Sequence, residues 1–345
     1  MKYQPFKINS FKYQLLTKIG VFYIYFFCLI FSNFTLSQKL VEKSKHSFKE
    51  TTLTFYSYSE GKEDAKKAIE FAFIGDFKNR KPVIFFIEGS GHYSSFTIDD
   101  SLNINYIFSN DLFSFLDKYN ILIVGKFGIP IVSTKSDQEK SFQYYDSVGK
   151  LPVEYLVNTN LATSVQVFGS IIDKISKLNK TPKFLVMGHS QGSRIAIELA
   201  KHPNVIGTVY MSSDPLGRLG SVLDEEYSLF EKRNDERYDY YLGLVKNGSN
   251  STDSVFREDT YNNWKSFAYP SLISISQTKK PLLITFGDLD KNCPNCYVYD
   301  LLPSYFSNIE VIKYKRLDHS YYDIEEISHW DSLYKDIRKW DEQFH

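Results

Sequence analysis

Short, almost wholly apolar runs recur along the chain, separated by longer stretches with helical period. Val83–Ile87 (VIFFI), Ile121–Val124, Phe184–Met187, Val205–Met211, Leu282–Phe286 and Ile309–Tyr314 have the length and the β-branched or aromatic content of buried strands. Ala68–Ile74 reads as an edge strand. Asp111–Tyr119 reads as a helix, and Val153–Leu178 carries a helical repeat through Leu156, Leu161, Val165, Val167, Ile171, Ile172 and Ile175. Ser193–Lys201 is a helix stopped by Pro203, and Ile327–Trp340 a closing helix. Strands alternating with helices predict a mainly parallel sheet covered on both faces, an α/β fold. Ser221–Gln277 breaks the pattern, being charged, aromatic and irregular.

The N-terminus has a different pattern. Residues 1–37 hold Lys2, Lys7, Lys12 and Lys18 and no acid, then the apolar run Ile19–Phe34, then the small-residue exit Thr35-Leu36-Ser37. A basic region, an apolar core and small residues before a cut make a secretory signal. The expectation is export, to a periplasmic, secreted or surface location. The alternative is an uncleaved anchor at residues 19–34, although that run is short for a full span. The balance of 345 residues is 41 basic against 41 acidic side chains. No basic excess calls for nucleic acid. With 43% hydrophobic and 24% charged residues the composition is globular, and it excludes long disorder, collagen and coiled coil.

Cys28 falls in the signal, which leaves Cys293-Pro294-Asn295-Cys296. In an exported chain an isolated pair reads as a local disulfide. Zinc would need further ligands and no second cysteine pair exists, so no metal is expected. Two free thiols are the bland alternative.

Gly188-His189-Ser190-Gln191-Gly192 lies between a strand and a helix. This is G-x-S-x-G, in which the serine occupies a tight, strained turn and the glycines remove side chains that would collide with the neighbouring elements. A serine hydroxyl needs a base and an orienting acid to become a nucleophile. Gly287-Asp288-Leu289-Asp290 follows the strand Leu282–Phe286, and Asp318-His319 follows Ile309–Tyr314. Both loops fall at strand ends on the same sheet edge as the elbow. His92, His189, His202, His329 and His345 compete with His319 on composition alone.

With these residues the chain resembles the α/β-hydrolase superfamily over roughly residues 65–342. The resemblance rests on the GHSQG elbow, the late Gly287-x-x-Asp290 and the final Asp318-His319. It implies Ser190 as nucleophile, Asp290 as acid and His319 as base, with Asp288 and Asp214 as alternative acids. It implies an oxyanion hole from the backbone N–H of Gln191 and a donor in the loop Glu88-Gly89-Ser90-Gly91, Ser90 first and Gly91 second. Glu88 stands where relatives usually have His. The domain then spans residues 38–345, and the insertion 215–270 forms a cap whose aromatics (Tyr227, Phe230, Tyr238, Tyr240, Tyr241, Trp264, Phe267, Tyr269) line a pocket or pack the cap. The implied activity is that of an exported serine hydrolase cleaving a carboxyl ester through an acyl-enzyme, with no cofactor. The partner is a small-molecule or peptide acyl substrate, and the membrane is touched only through an uncleaved N-terminal segment. A peptidase on the same fold is the second reading, and an inactive surface binding protein the third.

Overall fold

The computed structural model describes residues 38–61, 67–99, 101, 103–134, 143–146, 148–180, 183–221, 235–247, 255–256 and 259–344. The expected signal segment, residues 1–37, lies outside them, as do residues 222–234 of the expected cap and His345.

Nine strands make one sheet. They are β1 Lys39–Phe48, β2 Thr51–Glu60, β3 Lys67–Ile74, β4 Val83–Ile87, β5 Asn120–Val124, β6 Phe184–His189, β7 Val205–Met211, β8 Leu282–Gly287 and β9 Ile309–Tyr314. Their order across the sheet is β1-β2-β3-β5-β4-β6-β7-β8-β9. The first three form an antiparallel meander, β3 runs antiparallel to β5, and from β5 onward every neighbour is parallel.

Three expectations need correction. Residues 68–74 are not at the edge, because the hairpin β1–β2 lies outside them. That hairpin has no continuous apolar run: β1 carries Lys39, Lys43 and Lys45, and β2 mixes Thr and Ser with its aromatics. The long helix Val153–Leu178 is broken into α1 Val153–Asn158 and α2 Leu161–Asn179. Asn160 turns its side chain onto the N–H of Thr163 at 2.9 Å, capping α2 and ending continuity with α1. Asp111–Tyr119 is a 3₁₀ helix, Asn110–Asp117.

Further helices are α3 Gln191–Leu199, α4 Asp235–Asn247, α5 Tyr261–Phe267, α6 Ser271–Gln277 and α7 Trp330–Asp341. The last four lie within or just after two regions that the sequence pattern described only coarsely, the irregular span and the closing helix.

The central strands are buried on both faces, as parallel strands under helices must be. Alternate residues serve opposite layers. Ile84, Phe86, Ile121, Ile123, Leu185 and Met187 pack with Leu333, Tyr334, Ile337 and Trp340 of α7. Phe85, Ile87, Leu122, Val124 and Val186 pack with α2 through Val167, Phe168, Ile171 and Ile172 and with α3 through Ile195 and Leu199. This two-sided packing fixes the register, because a slip of one residue would exchange the two layers.

The chain passes from β4 to β5 on one side, then back across β4 to β6 on the other. Connections therefore diverge between β4 and β6, and a crevice opens at the carboxyl ends of those two strands. The loops after β4, β6, β8 and β9 all open on this edge.

Candidate active site

Ser190 follows directly on β6 with φ 53° and ψ −121°, a conformation that a residue with a side chain adopts only under constraint. Close approach accounts for the flanking glycines. A Cβ on Gly188 would stand 2.4 Å from the carbonyl oxygen of Gly192, and one on Gly192 would stand 2.1 Å from that of Ile87. The Ser190 N–H donates to Met211 O at 2.8 Å, and the buried Ser193 hydroxyl bonds Gly188 O and Met211 O while accepting from Met211 N. These bonds tie the turn to β7.

The loop after β9 brings His319 to the loop after β8. His319 Nδ1 lies 2.9 Å and 3.0 Å from the two carboxylate oxygens of Asp290. The Asp290 side chain is completely buried, and its Oδ1 also accepts the Asn292 N–H at 2.8 Å. Ser190 and His319 line the same two clefts. The Ser190 hydroxyl makes no hydrogen bond with any described residue.

The other candidate residues make different contacts. Asp288 is exposed and accepts the Arg316 N–H. Asp214 is buried in the cleft wall, where it accepts from Leu216 N and from Asn295 N and Nδ2; burial holds its carboxyl above the ordinary range. His92 is buried against Tyr145 and Tyr155. His202 pairs with Asp173, and His329 with Asp323 at the entrance to α7 rather than inside it.

No family model and no curated protein matches the sequence. Solved structures do match. The acetyl xylan esterase of Paenibacillus sp. R4 superposes with a TM-score of 0.52 at 12% identity, covering 98% of this chain and 96% of that one. Acetyl xylan esterase 1 of a Thermoanaerobacterium species gives 0.50 at 15% identity, covering 88% and 87%. The chain has the α/β-hydrolase fold.

In this α/β-hydrolase fold the loop after β4 lies against the elbow: a Cβ on Gly89 would meet the Ser190 Cβ at 3.1 Å. Lys126, just past β5, donates its ammonium to the carbonyls of Glu88 and Gly89. In a trans peptide the C=O and the following N–H point in opposite directions, so the lysine's hold on Gly89 O turns the Ser90 N–H away from it. Gln191 opens α3, and the first N–H groups of a helix have no intrahelical partner. Ser90 and Gln191 both line the cleft with Ser190; Gly91, with φ 115°, does not. The signal for Lys126 in the sequence is its place, directly after a buried strand on the functional edge.

Two further side chains shape this region. Glu88 is buried with neither carboxylate oxygen hydrogen-bonded, and burial pushes it up to about 7 against the opposing pull of Lys126. His189, inside the elbow, has its Nε2 2.9 Å from the backbone oxygen of His319. A carbonyl only accepts, so Nε2 carries the proton. Burial first, and the neighbouring His319 second, push this ring down to about 4, so it stays neutral and anchors the His319 loop from below. Trp330 and Tyr321 enclose it.

Two clefts flank Ser190. One, of about 380 Å³, carries cations and hydroxyls together with Trp264 and Phe267. Among the described residues these are the members of the expected aromatic set that line it; Tyr240 and Tyr269 are exposed, and Tyr241 stacks on Trp264. The other, of about 570 Å³, is walled by aromatics including Tyr93, Tyr106, Phe108 and Trp330.

Cys293 and Cys296 are buried and joined, with Cα atoms 5.3 Å apart. The Cys293 N–H donates to Asp290 O at 3.1 Å, so the bridge begins on the turn that presents the carboxylate. The closed ring is small, and on chain-entropy grounds it adds little global stability. A carboxylate displaced by about 1 Å costs around a hundredfold in rate. Reduction, or the double variant Cys293→Ser with Cys296→Ser, is therefore expected to lower turnover by a larger factor than its shift in Tm implies. Parallel assays and thermal melts check this, and unchanged turnover in the double variant contradicts it.

Proposed function

We propose that this protein is an exported serine hydrolase that cleaves carboxyl esters through an acyl-enzyme. The observation that carries the reading is His319 Nδ1 held between both oxygens of a buried Asp290, in the cleft that also holds the strained Ser190. The acetyl xylan esterases that share the fold are consistent with ester chemistry.

In this reading Ser190 Oγ attacks the ester carbonyl carbon while His319 Nε2 takes its proton. Asp290 keeps Nδ1 protonated and stabilises the imidazolium. The oxyanion receives the N–H groups of Gln191 and Ser90; losing one such donor typically costs roughly 100- to 1,000-fold in kcat. The tetrahedral adduct collapses, His319 returns its proton to the leaving alkoxide, and the alcohol departs. Water then attacks the acyl-serine by the same route and releases the acid. The joined cysteines support an oxidising compartment, hence the export through residues 1–37.

Labelling with a fluorophosphonate probe tests the reading, together with turnover of esters of graded chain length and of aminoacyl amides. The expected result is stoichiometric labelling and faster turnover of esters than amides. Faster amide turnover shifts the reading to a peptidase. Absence of both labelling and turnover would leave a binding protein on this fold.

A further inference from the structure

Arg194 sits in the first turn of α3, one turn beyond Ser190, and it lines the smaller cleft beside that serine. Its exposure is 6%, its Nε is buried without a partner, and among the described residues it makes no hydrogen bond or ion pair. A guanidinium carries five donors and cannot shed its charge inside a protein. Burial acts against that charge, and so does the positive end of the helix dipole on which it stands. Nearby Asp214 does not resolve this. Its oxygens are occupied by Leu216 N and by the backbone and side-chain nitrogens of Asn295, and no ion pair with Arg194 forms. Among the described residues, Arg218, Lys291 and Asp214 line the same cleft. A costly buried cation at the reacting edge, with its fork unused, is a site waiting for an anion.

We propose that this cleft recognises a carboxylate on the substrate, with Arg194 as the residue that receives it and Arg218 in support; this rests on the ester-hydrolase reading given above. A planar carboxylate matches the guanidinium fork with two parallel hydrogen bonds. The single negative charge suits a cleft that already holds Asp214. Arg194 is thus a specificity residue for an ester whose acid or alcohol portion is itself acidic.

The test compares 4-nitrophenyl half-esters of succinic, glutaric and adipic acid with neutral 4-nitrophenyl esters of matching chain length. It is paired with calorimetric titration of free glutarate. Wild-type protein is expected to favour at least one half-ester over its neutral match and to bind glutarate. In Arg194→Met the ratio of the two kcat/KM values should fall by about tenfold to a hundredfold, the range for a charge-assisted bidentate contact, and glutarate binding should be lost. Arg194→Lys, which keeps the charge and loses the fork, should lie between. Met fills similar space, and removing an uncompensated buried charge leaves the melting temperature equal or higher; a marked fall in Tm would instead mark Arg194 as a structural residue and overturn the proposal. An unchanged ratio in Arg194→Met, or no glutarate binding by the wild type, also overturns it. Failure of the hydrolase reading shows differently: no ester is cleaved and no probe bound, while the glutarate titration still reads the anion site.

Discussion

Ser190→Ala is expected to abolish fluorophosphonate labelling and to lower ester turnover by roughly four to six orders of magnitude, the scale of losing a nucleophile that works as a unit with its base. The fold should survive. The turn is held by Ser190 N to Met211 O and by the hydroxyl of Ser193, none of which uses the Ser190 side chain. Ala tolerates φ 53° no worse than Ser does, so Tm should stay within a few degrees. Stopped assays at high enzyme concentration and thermal melts give both readings. Near-normal turnover in this variant would remove Ser190 from the chemistry and with it the proposed mechanism.

Asp290→Asn should cost about 10,000-fold in kcat. An asparagine amide that turns its NH2 toward His319 Nδ1 stabilises the tautomer with the proton on Nε2, and that tautomer cannot accept from Ser190. Asp288→Asn should change kcat by no more than a few-fold, because the exposed Asp288 only accepts the Arg316 N–H and an asparagine oxygen does the same. The two neighbours thus separate by about three orders of magnitude. Kinetics on both variants, with melts to exclude unfolding, decide between them. The reverse ranking would move the orienting acid to Asp288, and comparable small effects would return attention to Asp214.

The strands that carry the functional edge were legible because their signals are local. VIFFI, ILIV and FLVM are apolar on both faces, as the centre of a parallel sheet requires; the structure extends the second back to Asn120 and the third on to His189. The elbow was legible for the same reason: Gly188 and Gly192 answer to crowding within five residues and against the adjacent β4. The hairpin β1–β2 was not, since its Thr, Ser and Lys positions give no apolar period and it is held by pairing with β3. The break at Asn160 turned on one side-chain cap inside an otherwise continuous helical period.

By itself the sequence determined the alternation of buried strands and helices, the strained serine turn, and the carboxylate and imidazole that come at later strand ends, because each is set by neighbours a few positions away. Only the tertiary structure decided which partners meet. The resemblance already ranked Asp290 ahead of Asp288, but the contact of Asp290 with His319 depends on how two loops, whose residues are 29 positions apart, face each other across β8 and β9. Lys126 on the Glu88–Gly89 carbonyls, His189 under the His319 backbone and the unpaired Arg194 beside Ser190 depend likewise on the strand order β5-β4-β6 and on burial. A charge or hydrogen bond takes its strength from the dielectric and the partners around it, and those exist only once the chain has closed on itself.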